Sequence, residues 1–410
     1  MQLAIISKIF EKNFFSFFIV LYISLATLPF FKAFGFYNYL MIGLLLSFIY
    51  LYFFIDNKWA TSISLFSVLS FFTIFILFTL SIGSRNISTG LNYVIYVHII
   101  FCYIMFNILI HQNLHNEISK KIVFVSLLVF LFTSLITFVA LLNDPYVSRQ
   151  AKIDEPYGIS LAMKGIGGYS FIYSLSLMII PMLSLSQISA LFDKPTKLFL
   201  FCFFIISLAT IILSNFFTAI LVAGFGIWFY YFQQKPFLMI SLVALLAIIA
   251  IISFELLSDA LGFDNMNLIK LFEVVTVIGG GEVGDYGYGR LDRYVEGISG
   301  IIQYPFFGMI NQGVNVIETY GYSQHSALLD FLSLYGIFIG TFAFVIFLLP
   351  FFLIRLKSKL IKKGYNSCMA SYLIILALNV NTIDIMVTMF LIIPVFFKYM
   401  DDTIQRTYGH

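Results

Sequence analysis

Apolar residues in this chain fall into long blocks separated by short polar breaks, and the blocks have membrane length. A membrane-crossing helix needs about 20 mostly apolar residues. Runs of that kind lie at roughly 14–31, 36–55, 60–82, 91–110, 122–142, 165–190, 198–214, 215–232, 237–254, 327–354, 367–383 and 385–400. The stretch 198–232 is too long for one helix and divides at Ser214-Asn215, the polar pair near its middle. The last two runs are short, and the boundary between them is weakly marked. The pattern predicts an all-α polytopic membrane protein of about 12 transmembrane helices, with residues 1–410 forming one integral membrane domain. Neither an internal repeat nor a low-complexity tail interrupts it.

Composition strengthens this reading. Hydrophobic residues make up 61% of the chain and charged residues 10%, where soluble domains run nearer half and a quarter. The three cysteines, Cys102, Cys202 and Cys368, fall inside or at the edge of apolar runs. They predict neither an extracytoplasmic disulfide nor a metal site. Lys8 and Lys12 precede the first run without a clean small-residue cleavage site, so that run reads as a span and not as a removed signal.

Net charge matters less here than its placement. With the N-terminus inside, 15 of the 23 Lys and Arg fall on cytoplasmic connections and 8 on outer ones, and the inner loops are the shorter. The positive-inside rule then places both termini in the cytoplasm and supports an even number of spans. Two outer loops exceed ordinary connection length: 143–164, and the much larger 255–326 between spans nine and ten. Within the larger loop, 266–278 is apolar but too short to span, and 279–289 holds six glycines and reads as turns. Residues 290–303 then have helical periodicity, with Leu291, Tyr294, Val295, Ile298, Ile301 and Ile302 recurring, and Pro305 and Gly308 end the helix.

The candidate chemistry gathers on these outer segments. Arg290 and Arg293 sit three apart at the predicted helix start. Arginine grips phosphate oxygens with a planar fork, and helix-start amides add donors. Asp292, Glu296 and Asp285 lie close by in sequence and could pair them on a solvated loop. The loop 255–326 as a whole holds nine Asp and Glu against three Lys and Arg, so it is no general anion funnel. His325 stands where the loop meets span ten, positioned to take a proton from a sugar hydroxyl or to fill a headgroup niche. Asp330, a turn inside that span, is costly unless paired. Loop 143–164 adds Arg149, Lys152, Tyr157 and Lys164. Gly165-Ile166-Gly167-Gly168-Tyr169 follow, and their glycines allow close helix packing. His98 lies mid-span and reads as a buried, hydrogen-bonded histidine, while Asp384 reads as solvated at an outer turn. The chain has no P-loop, GxSxG or HExxH motif, and no carboxylate in the first outer loop from Lys32 to Phe36. A metal site is therefore not expected.

From Arg290 to Gly340 the chain resembles the O-antigen polymerase and O-antigen ligase superfamily. The resemblance rests on Arg290, an aromatic at Tyr294 and Tyr304-Pro305-Phe306-Phe307-Gly308. It continues through His325-Ser326 to Leu334-Tyr335-Gly336-Ile337-Phe338-Ile339-Gly340. The layout, with twelve spans and the largest outer loop between the ninth and tenth, is similar as well and implies a GT-C-like fold. Within the superfamily, His-Ser followed by Leu-Leu-Asp looks like the repeat-unit polymerases, where ligases usually show His-Asn. The turn at Ser214-Asn215 also lacks the arginine usual in ligases, and Gly165 to Tyr173 looks like the outer start of span six in polymerases.

The resemblance implies metal-independent glycosyl transfer, without a cofactor, at the outer face of the bacterial cytoplasmic membrane. Donor and acceptor would be glycans on undecaprenyl pyrophosphate, giving O-antigen or capsular polysaccharide. It further implies Arg290 and His325 as catalytic residues, with Arg293, Arg149, Lys164, Tyr294 and Asp330 binding substrate. A chain-length regulator in the same membrane would be a partner, and no nucleic acid is involved. The competing class is a lipid-linked oligosaccharide flippase. That would need charged residues lining a cavity inside several spans, and the spans hold almost none.

Overall fold

The computed structural model describes residues 16–34, 98–106, 109, 115–151, 155–187, 194–235, 285–311, 326–379 and 381–408. The side chains at 115–116, 195–196, 285–293 and 311 are left aside, and the spans expected over 36–82 and 237–254 lie outside the described residues. Among those described the fold is helix and loop, with no strand. In chain order the helices are α1 (Ser16–Thr27), α2 (Pro29–Lys32), α3 (98–106), α4 (His115–Asn143), α5 (Val147–Gln150), α6 (Pro156–Met163) and α7 (Tyr169–Gln187). They continue as α8 (Lys194–Leu213), α9 (Phe217–Phe232), α10 (Asp285–Gln303), α11 (Gly308–Asn311), α12 (Ala327–Leu353), α13 (Lys359–Leu378) and α14. The last runs from Ile383 to Tyr408 through a π-helical turn at Thr388–Ile392.

Four helices among the described residues are long and apolar enough to cross a membrane: those over Glu117–Asn143, Tyr169–Gln187, Ala327–Leu353 and Ile383–Thr407. The chain is thus a membrane α-helical protein. In a bilayer the backbone must be satisfied internally, which leaves helices as the spanning form here. α7 and α14 are the inner helices, whereas α4 and α12 keep a broad apolar face uncovered. The division of 198–232 falls at Ser214-Asn215, where Asn215 takes a positive φ of 57°. The last two expected spans are longer than their apolar runs, because the polar turns that flank those runs, such as Lys359 to Asn366, remain helical.

Where lipid cannot drive apolar helices together, small residues permit close approach. At Gly226 of α9 a Cβ would lie 2.4 Å from Ser371 Oγ of α13. At Gly364 of α13 it would lie 2.5 Å from Ser184 Oγ of α7 and 2.7 Å from Phe397 of α14. Buried serines and threonines line the same core. His98, fully buried, shares a hydrogen bond of 2.8 Å between Nδ1 and the Tyr22 hydroxyl, joining α3 to α1.

The helices alternate between two ends of the bundle. At one end Lys32 pairs with Asp384, the Gly167 amide donates to Thr137 Oγ1 at 2.8 Å, and Asn215 Nδ2 donates to the Pro145 carbonyl at 3.3 Å. At the other, the Tyr230 hydroxyl donates to Gln187 at 2.8 Å and Gln233 Nε2 donates to the Lys363 carbonyl at 3.0 Å. There too the buried Asp401 carboxylate accepts the amides of Lys357 and Ser358 at 3.0 and 2.7 Å, fixing the segment that leads into α13. The basic run from Arg355 to Lys363 lies at this second end, with Lys194, Lys197 and Lys235.

Two local expectations are corrected. The glycine-rich piece 279–289 is helical from Asp285 onward. Gly287 and Gly289 each cost a helix about 1 kcal/mol, and packing of α10 on α12 outweighs this. Asp384 is not solvated: it is 2% exposed, because the Lys32 ammonium and the Thr382 hydroxyl enclose its carboxylate.

Candidate functional site

The candidate site grows from a break in a membrane-length helix. Gly336, inside α12, has φ 76° and ψ 173°, so the helical hydrogen-bond ladder stops there. The Ile337 amide that the break frees donates instead to the Pro305 carbonyl at 2.7 Å. The acceptor belongs to the hairpin 304–308, which closes on itself with the Gly308 amide on the Tyr304 carbonyl at 3.1 Å. Gly308 also has a positive φ, 75°. A Cβ there would lie 2.3 Å from the Leu334 carbonyl oxygen, and one on Gly336 would lie 2.4 Å from that of Phe306. Two backbones therefore meet where only glycine fits, and the rings of Phe306 and Phe338 stack beside them at 5.7 Å.

This joint fixes α10 against α12. Gly300 of α10 faces Met309 and Ser333. One and a half turns earlier, the Tyr294 hydroxyl donates to the Leu378 carbonyl at 3.0 Å, an acceptor left open where α13 ends. The start of α12 is held by the same turn. The Ala327 amide donates to the Asn379 carbonyl at 3.1 Å, and Ser326 caps α12 by accepting the Leu329 amide at 3.2 Å. Asp330 lies buried in the first turn of α12, where a helix start favours a carboxylate.

The sequence-predicted residues divide accordingly. Tyr294 and Asp330 come together around the α10–α12–α13 junction. His325 lies outside the described residues, directly before the Ser326 cap. Arg290 and Arg293 are in α10, where backbone register sets Arg290 one turn before Tyr294 and Arg293 one turn before Gly297. Because α10 begins at Asp285, both arginines lie past its first turn, and the open helix-start amides expected beside them are not theirs.

Arg149 belongs to another corner. Its guanidinium donates to the Asn215 carbonyl and lies over the Phe216 ring, 5.4 Å from the centroid, tying loop 143–164 to the turn between α8 and α9. Lys164 ends α6 with its side chain exposed, and Tyr157 is exposed on the same helix, while Lys152 lies outside the described residues. The glycines after Lys164 serve packing: a Cβ on Gly168 would meet the Ala151 carbonyl oxygen at 2.6 Å.

One element was missed by sequence reasoning. Lys32 and Asp384 form a buried ion pair, joined by Ser170 Oγ at 3.0 Å from Lys32 Nζ and by the Thr382 hydroxyl at 2.8 Å from Asp384 Oδ1. Asn381 Nδ2 donates to the Tyr372 hydroxyl at 2.7 Å in the same turn. Two opposite charges at the ends of apolar runs were the available signal. Among the described residues no group of three His, Cys, Asp or Glu could hold a metal ion. Compared with known proteins, the chain matches no family model, no curated protein and no solved structure.

Proposed function

We propose that the chain is a membrane glycosyltransferase that polymerises undecaprenyl-pyrophosphate-linked repeat units into O-antigen or capsular polysaccharide. In this reading it has about 12 spans in the bacterial cytoplasmic membrane, with both termini inside and 143–164 and 255–326 outside. The acceptor sugar hydroxyl attacks the anomeric carbon of the donor chain. A new glycosidic C–O bond forms, the bond to phosphate breaks, and lipid pyrophosphate leaves with the electron pair. Arg290, aided by Arg293, stabilises the charge growing on pyrophosphate, and His325 takes the proton from the hydroxyl. Asp330 orients the start of α12, and Arg149, Lys164 and Tyr294 shape the substrate path.

The observation that carries this reading is the joint between hairpin and broken helix. The two parts of the motif that resembles the polymerase family, Tyr304–Gly308 and Leu334–Gly340, meet backbone to backbone, although some 30 residues separate them. Their meeting supports reading the motif as one structural unit built to hold α10 beside the start of α12. Sorting of basic residues to the opposite end of the bundle supports the outer placement of that unit.

The deciding experiment is a deletion strain examined for surface glycan and lipid-linked intermediates. Loss of the polymer ladder, with single repeat units still reaching the outer face and downstream attachment intact, is expected. Full-length chains stranded on undecaprenyl pyrophosphate would identify a ligase instead. Repeat units trapped on the cytoplasmic face would identify a flippase.

A further inference from the structure

The basic end of the bundle crowds like charges that the chain itself does not balance. Arg355, Lys357, Lys359, Lys362 and Lys363 follow one another on the segment leading into α13 and on its first two turns. Lys359, Lys362 and Lys363 stand three and four positions apart, so they share one face of the helix, where like charges repel. The first turn of α13 holds no acid to offset them. The carboxylates that α14 brings to this end are already engaged: Asp401 accepts the Lys357 and Ser358 amides, and Asp402 accepts from Lys398 at 2.7 Å. Among the described residues none of the five cations makes an ion pair. Lys363 instead lies over two rings, 4.9 Å from the Tyr230 centroid and 6.0 Å from that of Tyr231. That contact ties the start of α13 to the end of α9, where the Gln233 side chain donates to the Lys363 carbonyl and the exposed Lys235 follows.

What borders the patch identifies its partner. Phe352, at the end of α12 just before Arg355, is 69% exposed. Tyr231 of α9, one turn before Lys235, is 47% exposed. In α8, which starts at the same end, Lys197 is followed directly by Leu198, 63% exposed. Three separate helices thus pass from cation to bare, large apolar side chain within a turn. Such an edge matches the boundary between headgroups and acyl chains, where lysine keeps its ammonium in the polar layer. A soluble acidic partner would cover the cations and leave the apolar half of the edge in water. A lipid covers both halves at once.

We infer that this end of the bundle binds anionic phospholipid, with the headgroup phosphate against Lys359, Lys362 and Lys363 and the acyl chains against the apolar edge. Surface lysines attract anionic lipid in proportion to their number. This binding does not depend on the proposed reaction, nor on which side of the membrane the basic end faces.

Full-length protein in phosphatidylcholine vesicles tests it with spin-labelled lipids, whose immobilised fraction reports contact with the protein. Labelled phosphatidylglycerol should be preferred to labelled phosphatidylcholine by about fivefold, the effect of one surface cation on an anionic lipid. High salt should weaken the preference. Lys359→Gln, Lys362→Gln and Lys363→Gln together should remove most of it, whereas Lys359→Arg, Lys362→Arg and Lys363→Arg together should keep it. The thermal unfolding midpoint in phosphatidylcholine checks that the glutamine variant is folded. If it is not, Lys362→Gln alone, at an exposed position, should still lower the preference. Absence of any preference in the unaltered chain would overturn the inference, as would a preference that the folded glutamine variant retains in full. Displacement of the labelled phosphatidylglycerol by millimolar inorganic phosphate, at matched ionic strength, would assign the lysines to free phosphate and overturn it equally.

Discussion

Lys32 and Asp384 stand 352 positions apart, yet they pair in the interior, with both side chains under a tenth exposed. A buried pair contributes little beyond well-packed apolar residues of similar size, but losing one partner leaves an uncompensated charge and costs about 3–5 kcal/mol. Lys32→Met should therefore lower thermal stability of the detergent-solubilised chain strongly. Adding Asp384→Leu should recover most of the loss. A double variant as unstable as the single one would show that the hydrogen bonds to Ser170 and Thr382, and not the charge, hold this corner. Arg290 is a different case, since its proposed role is chemical. Arg290→Ala should abolish polymer while membrane levels of the protein persist, and Arg290→Lys should restore only part, because the planar fork is lost. Normal polymer from well-expressed Arg290→Ala protein would remove this residue from the mechanism. Arg290 could be singled out from sequence because a charged group beside apolar runs demands a reason. The Lys32–Asp384 pair could not, because its two halves come from opposite ends of the chain and either one alone reads as a solvated turn residue.

Among the elements, the joint of Gly308 with Gly336 is the contact least able to adapt. A residue with a Cβ in the left-handed region costs about 1–2 kcal/mol, and at Gly336 that Cβ would also stand 2.4 Å from a carbonyl oxygen. Backbone cannot give way as a flexible side-chain tip can. Gly336→Ala should therefore destabilise the chain by more than the conformational cost alone and free α10 to proteolysis. Gly224→Ala in α9, where a Cβ meets nothing within 4 Å, should be neutral or slightly stabilising in the same thermal assay. Equal behaviour of the two variants would refute the joint. Helices α4, α7, α8, α9 and α12 were legible in the apolar pattern because lipid imposes a length that the chain must write out. The turn at Asn215 was legible for the same reason, being the polar interruption of an overlong run. The break in α12 was not: Gly336 sits among apolar residues, and the pattern carries no record of a hairpin about 30 residues upstream supplying the Pro305 carbonyl. The extension of α10 back to Asp285 was hidden by its glycines, whose turn preference is overridden only by packing on α12.

At the scale of the whole molecule, the two ends of the bundle differ in charge, and that difference predicts their sidedness. Tyr157, on α6, belongs to the end that holds Arg149 and the Lys32–Asp384 pair, because α2 packs on α6 and Lys32 ends α2. Lys362, on α13, belongs to the end where Asp401 holds the segment leading into that helix and where the basic run lies. Both positions are exposed, so a small reagent can reach either from its own side. In a background where Cys102, Cys202 and Cys368 are changed to Ser or Ala, Tyr157→Cys should react with an impermeant thiol reagent in intact spheroplasts. Lys362→Cys should react only after the membrane is opened, as the positive-inside rule requires. Each label also checks the other, since an even number of crossings between them would give both the same behaviour and contradict the five crossings expected from sequence, at α7, α8, α9, the run 237–254 and α12. The reverse pattern, with Lys362→Cys labelled first, would place α10 and its hairpin on the cytoplasmic side. The proposed polymerase could not survive that inversion, because its substrates are joined on the far side of the membrane and Arg290 would stand on the wrong one.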